Sequence, residues 1–300
     1  MAISEVQDTV DLPRTQSGAN PQHLIVTLLG DYWWGRHEHL PSAGLVALAG
    51  EFDITPTSAR AALSRLARRG LLDSSRQGRR TYYGLTDRAE EVLDEGLHRI
   101  MAFGLEDRPW SGSWVVVIFS VPEEQRDLRH LLRTKLRWLG FGPLYDGVWV
   151  SPRAGAEETA RELVELGVAS ATVLESRIVR ALEGGDPLRA WDLDALRREY
   201  DAFIAEFTPL LGRVRAGEVG GAEALVARTR VMDAWRQFPG LDPELPEDAL
   251  PGGWPRRRAQ HIFARVYDAL GPLAEVRFRQ ILADHAPELA VRAHHLTTAG

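Results

Sequence analysis

The sequence predicts an α+β protein of three domains, and three observations support this fold class. Near the N-terminus, helix patterns precede two short strand patterns that are separated by a basic turn. In the middle of the chain, strand patterns alternate with two amphipathic helix patterns. After Trp191, apolar residues recur at helical spacing and indicate a run of helices.

The composition limits the class of protein. The chain has 300 residues, 44% of them apolar, which is enough for two or three compact domains. No stretch approaches the roughly 20 apolar residues that span a bilayer. The chain has no cysteine for a disulfide or a thiolate metal site. Residues 1–20 are polar and lack the apolar core of a signal peptide, so we expect a disordered leader and a cytoplasmic protein.

Residues 21–104 are predicted to form the first domain. Apolar residues indicate helices over 24–29 and 45–49, the first ending at Gly30-Asp31. Both helices are short, and a third follows within ten residues.

A stronger signal marks the third helix and the strands after it. Thr55 followed by Pro56 is a helix start, and the helix is predicted to run to Arg69 before a glycine. Strands are predicted over 71–75 and 81–85, on either side of a turn. Three helices followed by a hairpin with a basic tip indicate a winged helix-turn-helix, which is a DNA-binding fold.

Charge is concentrated in this part of the chain. Segment 56–85 holds seven arginines and one acid, so it carries +6 in a chain of net charge −6, and the remainder carries −12. Such asymmetry indicates an anionic partner bound at one place. The apolar face of the third helix consists of Ala59, Ala62, Leu63 and Leu66, and the opposite face is small and polar at first and cationic further along.

This two-faced helix has the character of a recognition helix. Small residues at its N-terminal end allow close approach to base edges, and arginine can bind guanine O6 and N7 together. Cations at its far end and in the hairpin are suited to phosphates. The candidate base readers are Thr57, Ser58, Arg60, Ala61 and Ser64. Arg65 suits either base reading or phosphate binding. The remaining candidate DNA contacts are Arg68, Arg76, Arg79 and Arg80. A solvated arginine face on an ordinary helical domain is the alternative, and the placement of the cations favours DNA.

Residues 110–185 are predicted to form the second domain, which follows a helix over 87–103 and a linker over 105–109. The predicted strands cover 114–121, 144–150 and 171–175, and the predicted helices cover 125–139 and 157–166. The leucines expected on the inward side of the first of these helices are Leu128, Leu131, Leu132, Leu136 and Leu139. With one more strand over 176–182, this order is that of a ferredoxin-like sheet.

Residues 186–300 are predicted to form a helical third domain. One apolar stripe consists of Leu196, Tyr200, Phe203, Ile204 and Phe207. Further helices are predicted over 225–238 and 256–283, and the last is expected to be interrupted at Gly271-Pro272.

Three separated motifs resemble the PaaX family of transcriptional repressors. The first is AALSRLARRG at 61–70 together with GRRTYY at 78–83. The second is FSVPE at 119–123 together with LGFGPL at 139–144, and the third is DPELP at 242–246 followed by LP at 250–251 and WP at 254–255. The resemblance spans residues 23 to about 275.

The resemblance implies more than the residues alone. The central domain would be similar in fold to the small CRISPR-associated nuclease subunit. Those nucleases carry a metal-binding aspartate near the end of the first strand. Positions 118–120 hold no carboxylate here, so we expect a role in dimerisation and no nuclease chemistry. The resemblance also implies repression of an aromatic or related catabolic operon from a palindromic operator, with release by an aryl-acetyl-CoA thioester such as phenylacetyl-CoA.

The effector site is predicted from aromatic and basic residues. The aromatic side chains that suit an apolar pocket, or alternatively fill the helical core, are Trp191, Tyr200, Phe203, Trp235 and Trp254. The arginines that suit an anionic group at its mouth are Arg228, Arg230, Arg236 and Arg256. The four candidate effector-binding residues are Arg230, Trp235, Arg236 and Trp254, and the site is expected between the central and C-terminal domains, with 104–109 as hinge.

Other functions remain as alternatives. One is a ligand-independent architectural DNA-binding protein, and another is an enzyme with an attached DNA-binding domain. The segment His37-Glu38-His39 suits a metal site only if a third ligand comes from elsewhere. The sequence contains no glycine-rich phosphate-binding loop, no Ser-His-Asp triad motif and no His-Glu-x-x-His motif. We therefore expect a non-enzyme without metal or cofactor.

Overall fold

The computed structural model describes residues 20–105, 110–182 and 184–298. These residues group into two compact units, each built from separate stretches of the chain. Of the described residues, the first unit takes those within 1–102, 205–236 and 261–300, and the second takes those within 103–204 and 237–260. The predicted leader and linker lie almost wholly outside the described residues, and the three-domain division stays a prediction. Across the described ranges, no helix combines the length and apolarity that a bilayer crossing requires.

The N-terminal stretch contains four helices and a small sheet. Its elements are α1 (Pro21–Tyr32), β1 (Leu40–Pro41), α2 (Ser42–Gly50), α3 (Pro56–Arg68), β2 (Leu72–Gln77), β3 (Arg80–Leu85) and α4 (Asp87–Ala102). The sheet is antiparallel, with strand order β1-β3-β2. The predicted apolar face of α3 is buried, because Ala59, Ala62, Leu63 and Leu66 are inaccessible to solvent.

Helix α1 is longer than predicted, and the expected end at Gly30-Asp31 is wrong. The helix continues to Tyr32 because Asp31 is buried in contacts with distant residues. Its carboxylate accepts a hydrogen bond from the Tyr267 hydroxyl (2.7 Å) and lies 3.4 Å from the Arg228 guanidinium. Tertiary contacts therefore override the local signal of a glycine followed by an aspartate.

The central stretch forms a four-stranded antiparallel sheet with two helices. Its elements are β4 (Ser113–Phe119), α5 (Arg126–Trp138), β5 (Gly142–Tyr145), β6 (Val148–Ser151), α6 (Ala156–Glu165) and β7 (Ala171–Arg177), and the strand order is β5-β6-β4-β7. The strand predicted over 144–150 is instead two strands. They are joined at Gly147, which has φ +72° and where a Cβ would lie 2.6 Å from the Phe119 carbonyl oxygen. The separate strand expected over 176–182 is wrong, since β7 itself runs to Arg177 and residues 178–182 form no strand.

The core of this sheet lies on one face. Val115, Val117 and Phe119 alternate along β4 and pack with Leu132 and Leu136 of α5. Alternation places successive side chains on opposite faces of a strand, so one face of the sheet is covered by α5 and α6. Leu131 was expected on the inward side of α5, but half of it is exposed because it lies outside the stripe formed by the other leucines.

The C-terminal stretch is helical. Its α-helices are α7 (Leu193–Arg215), α8 (Gly221–Trp235), α9 (Phe238–Leu241), α10 (Arg256–Ala283) and α11 (Pro287–Ala290). All five residues of the predicted α7 stripe are buried. The interruption predicted in α10 is wrong, because the helix continues through Pro272. Proline removes one helical hydrogen bond, and burial of the flanking Leu270 and Ala274 holds the helix together.

A buried charge network stabilises the second unit. The Arg256 guanidinium donates from Nε (2.7 Å) and Nη2 (2.8 Å) to the two Asp242 oxygens and also donates to the Leu245 carbonyl. The Tyr200 hydroxyl donates to the same Asp242 carboxylate (2.5 Å), and burial raises the pKa of Tyr200. Arg256 is therefore a structural residue, not part of a pocket mouth.

We expect Arg256→Ala to lower the free energy of unfolding by about 3–5 kcal/mol, because the substitution leaves the Asp242 carboxylate buried without its cation. The neighbouring Arg257 forms an exposed pair with Glu247, so Arg257→Ala should cost about 1 kcal/mol or less. Urea denaturation followed by circular dichroism measures both. Equal losses in the two variants would contradict the role assigned to the network.

Candidate nucleic-acid interface

One face of α3 is buried and the other is open to solvent. Among the predicted DNA contacts on this helix, Thr57, Arg60, Ser64, Arg65 and Arg68 are exposed, and Ser58 and Ala61 are half-buried. The buried face packs against α1 and α2. The helix is thus held by its apolar side, and its small and cationic side is presented outward.

The start of α3 is fixed by local hydrogen bonds. The Thr55 hydroxyl accepts from the Ser58 backbone N–H (3.3 Å) and donates to the Ser58 hydroxyl (3.1 Å), and Pro56 occupies the first turn. An N-cap and a proline at this position set the first turn rigidly. Ser58 consequently contributes to the cap, while Thr57 projects freely from the same turn.

The end of α3 leads directly into the hairpin. Gly70 has φ +69°, and the Leu71 N–H donates back to the Leu66 carbonyl (3.0 Å), as in a glycine C-cap. The Thr86 hydroxyl, which follows the second strand, donates to the Gly70 carbonyl (2.9 Å). Helix end and hairpin base are therefore tied together.

The hairpin carries three of the predicted contacts at and near its tip. Gln77 pairs with Arg80, so Gly78 and Arg79 form a two-residue loop. Gly78 has φ +61°, and a glycine with positive φ at the first loop position is the arrangement of a type II′ turn. Arg76, Arg79 and Arg80 are all exposed.

These cations are available to a partner. Within the ranges that the structure describes, no ion pair involves Arg60, Arg65, Arg68, Arg76, Arg79 or Arg80. The one acid of the segment, Asp73, is exposed on β2. A group of exposed, unneutralised guanidinium groups on a helix and its adjoining hairpin can bind the phosphates of a nucleic acid.

The hairpin is supported by His39, which the sequence had suggested only as a metal ligand. His39 Nδ1 lies 2.9 Å from the Ser75 hydroxyl on β2, and its ring packs against Gly84 on β3. The neighbouring Glu38 forms an ion pair with Arg292. Among the described residues, no three His, Asp or Glu side chains are grouped to hold a metal ion. A glycine in the middle of a strand was the sequence signal for this close contact.

Comparison with known proteins identifies the family. The model described as "PaaX-like protein" matches residues 20–89, that of the "PaaX protein central Cas2-like domain" matches 107–187, and that of the "PaaX-like protein C-terminal domain" matches 191–280. The transcriptional repressor PaaX of Escherichia coli (strain K12) is 30% identical over 261 residues, which cover 84% of this chain and 80% of that protein. The chain belongs to the PaaX family.

A solved structure has a similar fold. The uncharacterized protein Rv0674 from Mycobacterium tuberculosis aligns with a TM-score of 0.55 at 22% identity, over 88% of this chain and 98% of the other. At this identity the likeness concerns the fold alone. It covers most of both chains, so the similarity in fold extends well beyond the N-terminal helices.

The predicted effector residues belong to both units. Arg230 is exposed and pairs with Glu206 (2.8 Å), while Trp235 is buried and donates to the Ile100 carbonyl (3.1 Å). Arg236 is half-buried and donates to the Thr27 hydroxyl (3.3 Å). These three lie in the first unit and Trp254 lies in the second. Their role in effector binding stays a prediction.

Two of the arginines considered for the pocket mouth have structural roles instead. Arg228 is fully buried beside Asp31, and its guanidinium lies 3.7 Å from the ring centroid of Tyr267. Arg256 is buried in the network with Asp242. The residue types alone suited a pocket mouth and did not reveal the acidic partners of these two arginines.

We expect Gly84→Ala to destabilise the hairpin, because the added Cβ would lie 2.4 Å from the His39 ring. Overpacking of this kind costs about 1–3 kcal/mol of unfolding free energy. Thermal and urea denaturation measure the loss. The double variant His39→Ala/Gly84→Ala removes the clash and should lose less than the sum of the two single variants, whereas strict additivity would contradict the contact.

Proposed function

We propose that this protein is a DNA-binding transcriptional repressor that acts in the cytoplasm and uses a winged helix-turn-helix. The observation that supports this most directly is the set of exposed, unneutralised arginines on α3 and on the β2–β3 hairpin. The remainder of the chain is acidic, so attraction to a polyanion is concentrated on this surface. The E. coli relative is named a transcriptional repressor, which agrees with this proposal.

Helix α3 is the proposed recognition helix. Thr57, Ala61 and Ser64 provide a small surface that can approach base edges in the major groove. Arg60 and Arg65 extend from the same face and suit guanine. Arg79, at the hairpin tip, suits the phosphate backbone beside the groove.

The central part of the chain is proposed to be a ferredoxin-like domain that mediates dimerisation. Strand order β5-β6-β4-β7 with helices on one face supports this assignment. The opposite face is open only in part: Ile118 and Leu174 are each 43% exposed there, whereas Trp114 and Val150 on the same face are buried. A second copy of the chain that covers this apolar face would form the homodimer, and the C-terminal stretch would complete each subunit as a helical domain.

A homodimer explains recognition of a palindromic operator. Each subunit would place one α3 in a major groove, with half-sites about 34 Å apart or a multiple of that distance. An effector such as an aryl-acetyl-CoA would release the repressor of an aromatic catabolic operon by binding the conformer that does not fit the operator. A hundredfold preference for that conformer shifts the equilibrium by about 2.7 kcal/mol.

A mobility-shift titration on DNA from upstream of the protein's own gene tests the function. We expect Arg60→Ala to relax base preference at one operator position, at a cost of about 1–3 kcal/mol on the native base pair. Arg79→Ala should weaken binding to all sequences similarly and lower the salt slope by about one, since one phosphate contact is lost. These two responses separate base readout from phosphate binding.

The matched control is Arg126→Ala, which removes an exposed arginine from α5 in the second unit. Its affinity and salt slope should equal those of the wild type. Equal losses for Arg60→Ala and Arg79→Ala on every sequence would contradict the separate roles. The proposed function would be contradicted if the wild type bound no DNA more tightly than the double variant Arg60→Ala/Arg79→Ala does.

For the dimer, we expect Ile118→Glu to shift the protein toward monomer, because a charge on the open sheet face opposes its burial. Light scattering after size exclusion measures the mass. Val164→Glu is the control, since Val164 is 77% exposed on α6, on the helix side of the sheet. A dimer that persists in Ile118→Glu, or one that Val164→Glu abolishes equally, would refute this interface.

A further inference from the structure

A cavity of about 240 Å³ lies within the first unit, between α1, α4 and α8. Its apolar wall includes Leu93, Leu97 and Ile100 of α4, with Met232 of α8 facing them. It is separate from the exposed face of α3. An apolar cavity of roughly 150 Å³ holds one benzene molecule, so this volume suits a single ring or a short alkyl chain with a small polar group.

Two glycines inside helices keep this space open. Gly30 of α1 and Gly96 of α4 both line the cavity, and a Cβ added at either position would meet no atom within 4 Å. Glycine is unfavourable in a helix interior compared with alanine. Neither glycine is required by a close helix contact or by a positive φ. The space is therefore retained where a larger residue would fit and would favour the helix.

The cavity also has a polar end with charges of both signs, where Arg236 and Asp31 line it. Arg236 lines it, and the Arg236 Nε has no hydrogen-bond partner among the described residues. Both ring nitrogens of His23, which also lines the cavity, are likewise buried and without a hydrogen bond in the described ranges. The Asp233 carboxylate lies 3.1 Å from Arg236 and 3.5 Å from His23. Buried donors without acceptors are costly, so a ligand oxygen at this end would satisfy them.

Arg236 remains a cation in this setting. Burial lowers the pKa of Arg236 to about 10. This pKa is still well above neutral pH, so the guanidinium stays charged there. A carboxylate would gain a charge-assisted hydrogen bond, and a thioester carbonyl would gain a weaker one. The apolar wall and the polar end at Arg236 together suit an amphipathic ligand.

We propose that this cavity binds a small organic acid, or the acyl end of its thioester, with the acid or carbonyl oxygen at Arg236 and His23 and the apolar body against α4. As a regulatory site the cavity rests on the proposed repressor function. Helix α1 lines the cavity and packs against α3, so occupancy acts one helix away from the recognition surface. Coupling then requires only that the ligand bind one conformer of these helices more tightly than the other.

Isothermal titration with phenylacetate, octanoate, phenylacetyl-CoA, octanoyl-CoA and coenzyme A tests the site on the full chain. We expect at least one acid or thioester to bind the wild type. Gly96→Leu should weaken it by about tenfold or more, because leucine fills the space. Arg236→Gln should weaken it by about 10–100-fold, because a charge-assisted hydrogen bond is lost.

The matched control is Gly212→Leu, because Gly212 lies inside α7, has open space at its Cβ and does not line the cavity. This variant should bind as the wild type does. Circular dichroism establishes that each variant is folded. If Gly96→Leu is not folded, Gly30→Ala takes its place, because Gly30 also lines the cavity. The proposal is overturned if no acid or thioester binds the wild type, if folded Gly96→Leu and Arg236→Gln retain wild-type affinity, or if coenzyme A alone accounts for the binding.

The two ligand sources and the two proposals are distinguishable. Binding of the free acid as tightly as the thioester identifies the acid as ligand, whereas binding of the thioester alone identifies an acyl group whose carrier remains outside the cavity. Mobility shifts of Gly96→Leu should match the wild type without ligand and should no longer respond to it. If no variant or wild type binds DNA while the titrations behave as expected, the repressor proposal fails and the cavity site stands.

Discussion

The first unit depends on a buried ion pair between residues that are almost two hundred positions apart. Arg228 lies fully buried beside Asp31, and its guanidinium also donates to the carbonyls of Tyr267 and Leu296. Burial raises the pKa of Asp31 and the charge of Arg228 opposes that shift, so each group is tolerated only with the other. This pair joins α1 to α8, and hydrogen bonds from Arg228 extend the connection to α10 and the C-terminal segment.

This constraint determines where the proposed DNA-binding surface can be. Helix α1 is held by Asp31 on one side and supports α3 on the other. The apolar residues of α3 are buried against α1 and α2, which leaves its small residues and arginines facing solvent. The hairpin is in turn fixed by Gly70 and by the His39–Ser75 contact, so its arginines follow the end of the helix. A rigid scaffold with exposed cations suits recognition, because little ordering is needed on binding.

The same helix α1 lines the cavity that ends at Arg236. A regulated DNA-binding protein needs an element that both the ligand and the operator can influence. Helix α1 has the necessary position, with the cavity on one side and α3 on another. The two helix glycines at the cavity, Gly30 and Gly96, indicate that its volume is maintained at some cost in helix stability.

The sequence by itself determined the features that depend on neighbouring residues. The two faces of α3, the hairpin turn at Gly78 and the apolar stripe of α7 all follow local periodicity and turn chemistry. The charged segment 56–85 was also visible, because charge is counted without knowing the fold. Strand and helix patterns also indicated the order of the central elements, apart from the hairpin at Gly147 and the length of β7.

Only the tertiary structure decided which charged and glycine residues have distant partners. Arg228 and Arg256 were expected at the mouth of a pocket, yet both are buried beside their partners Asp31 and Asp242. The continuations of α1 through Gly30 and of α10 through Pro272 likewise depend on packing that outweighs a local helix-ending signal. Local patterns report which face of an element is apolar, but pairing of buried charges and retention of empty volume depend on contacts between segments far apart in the chain.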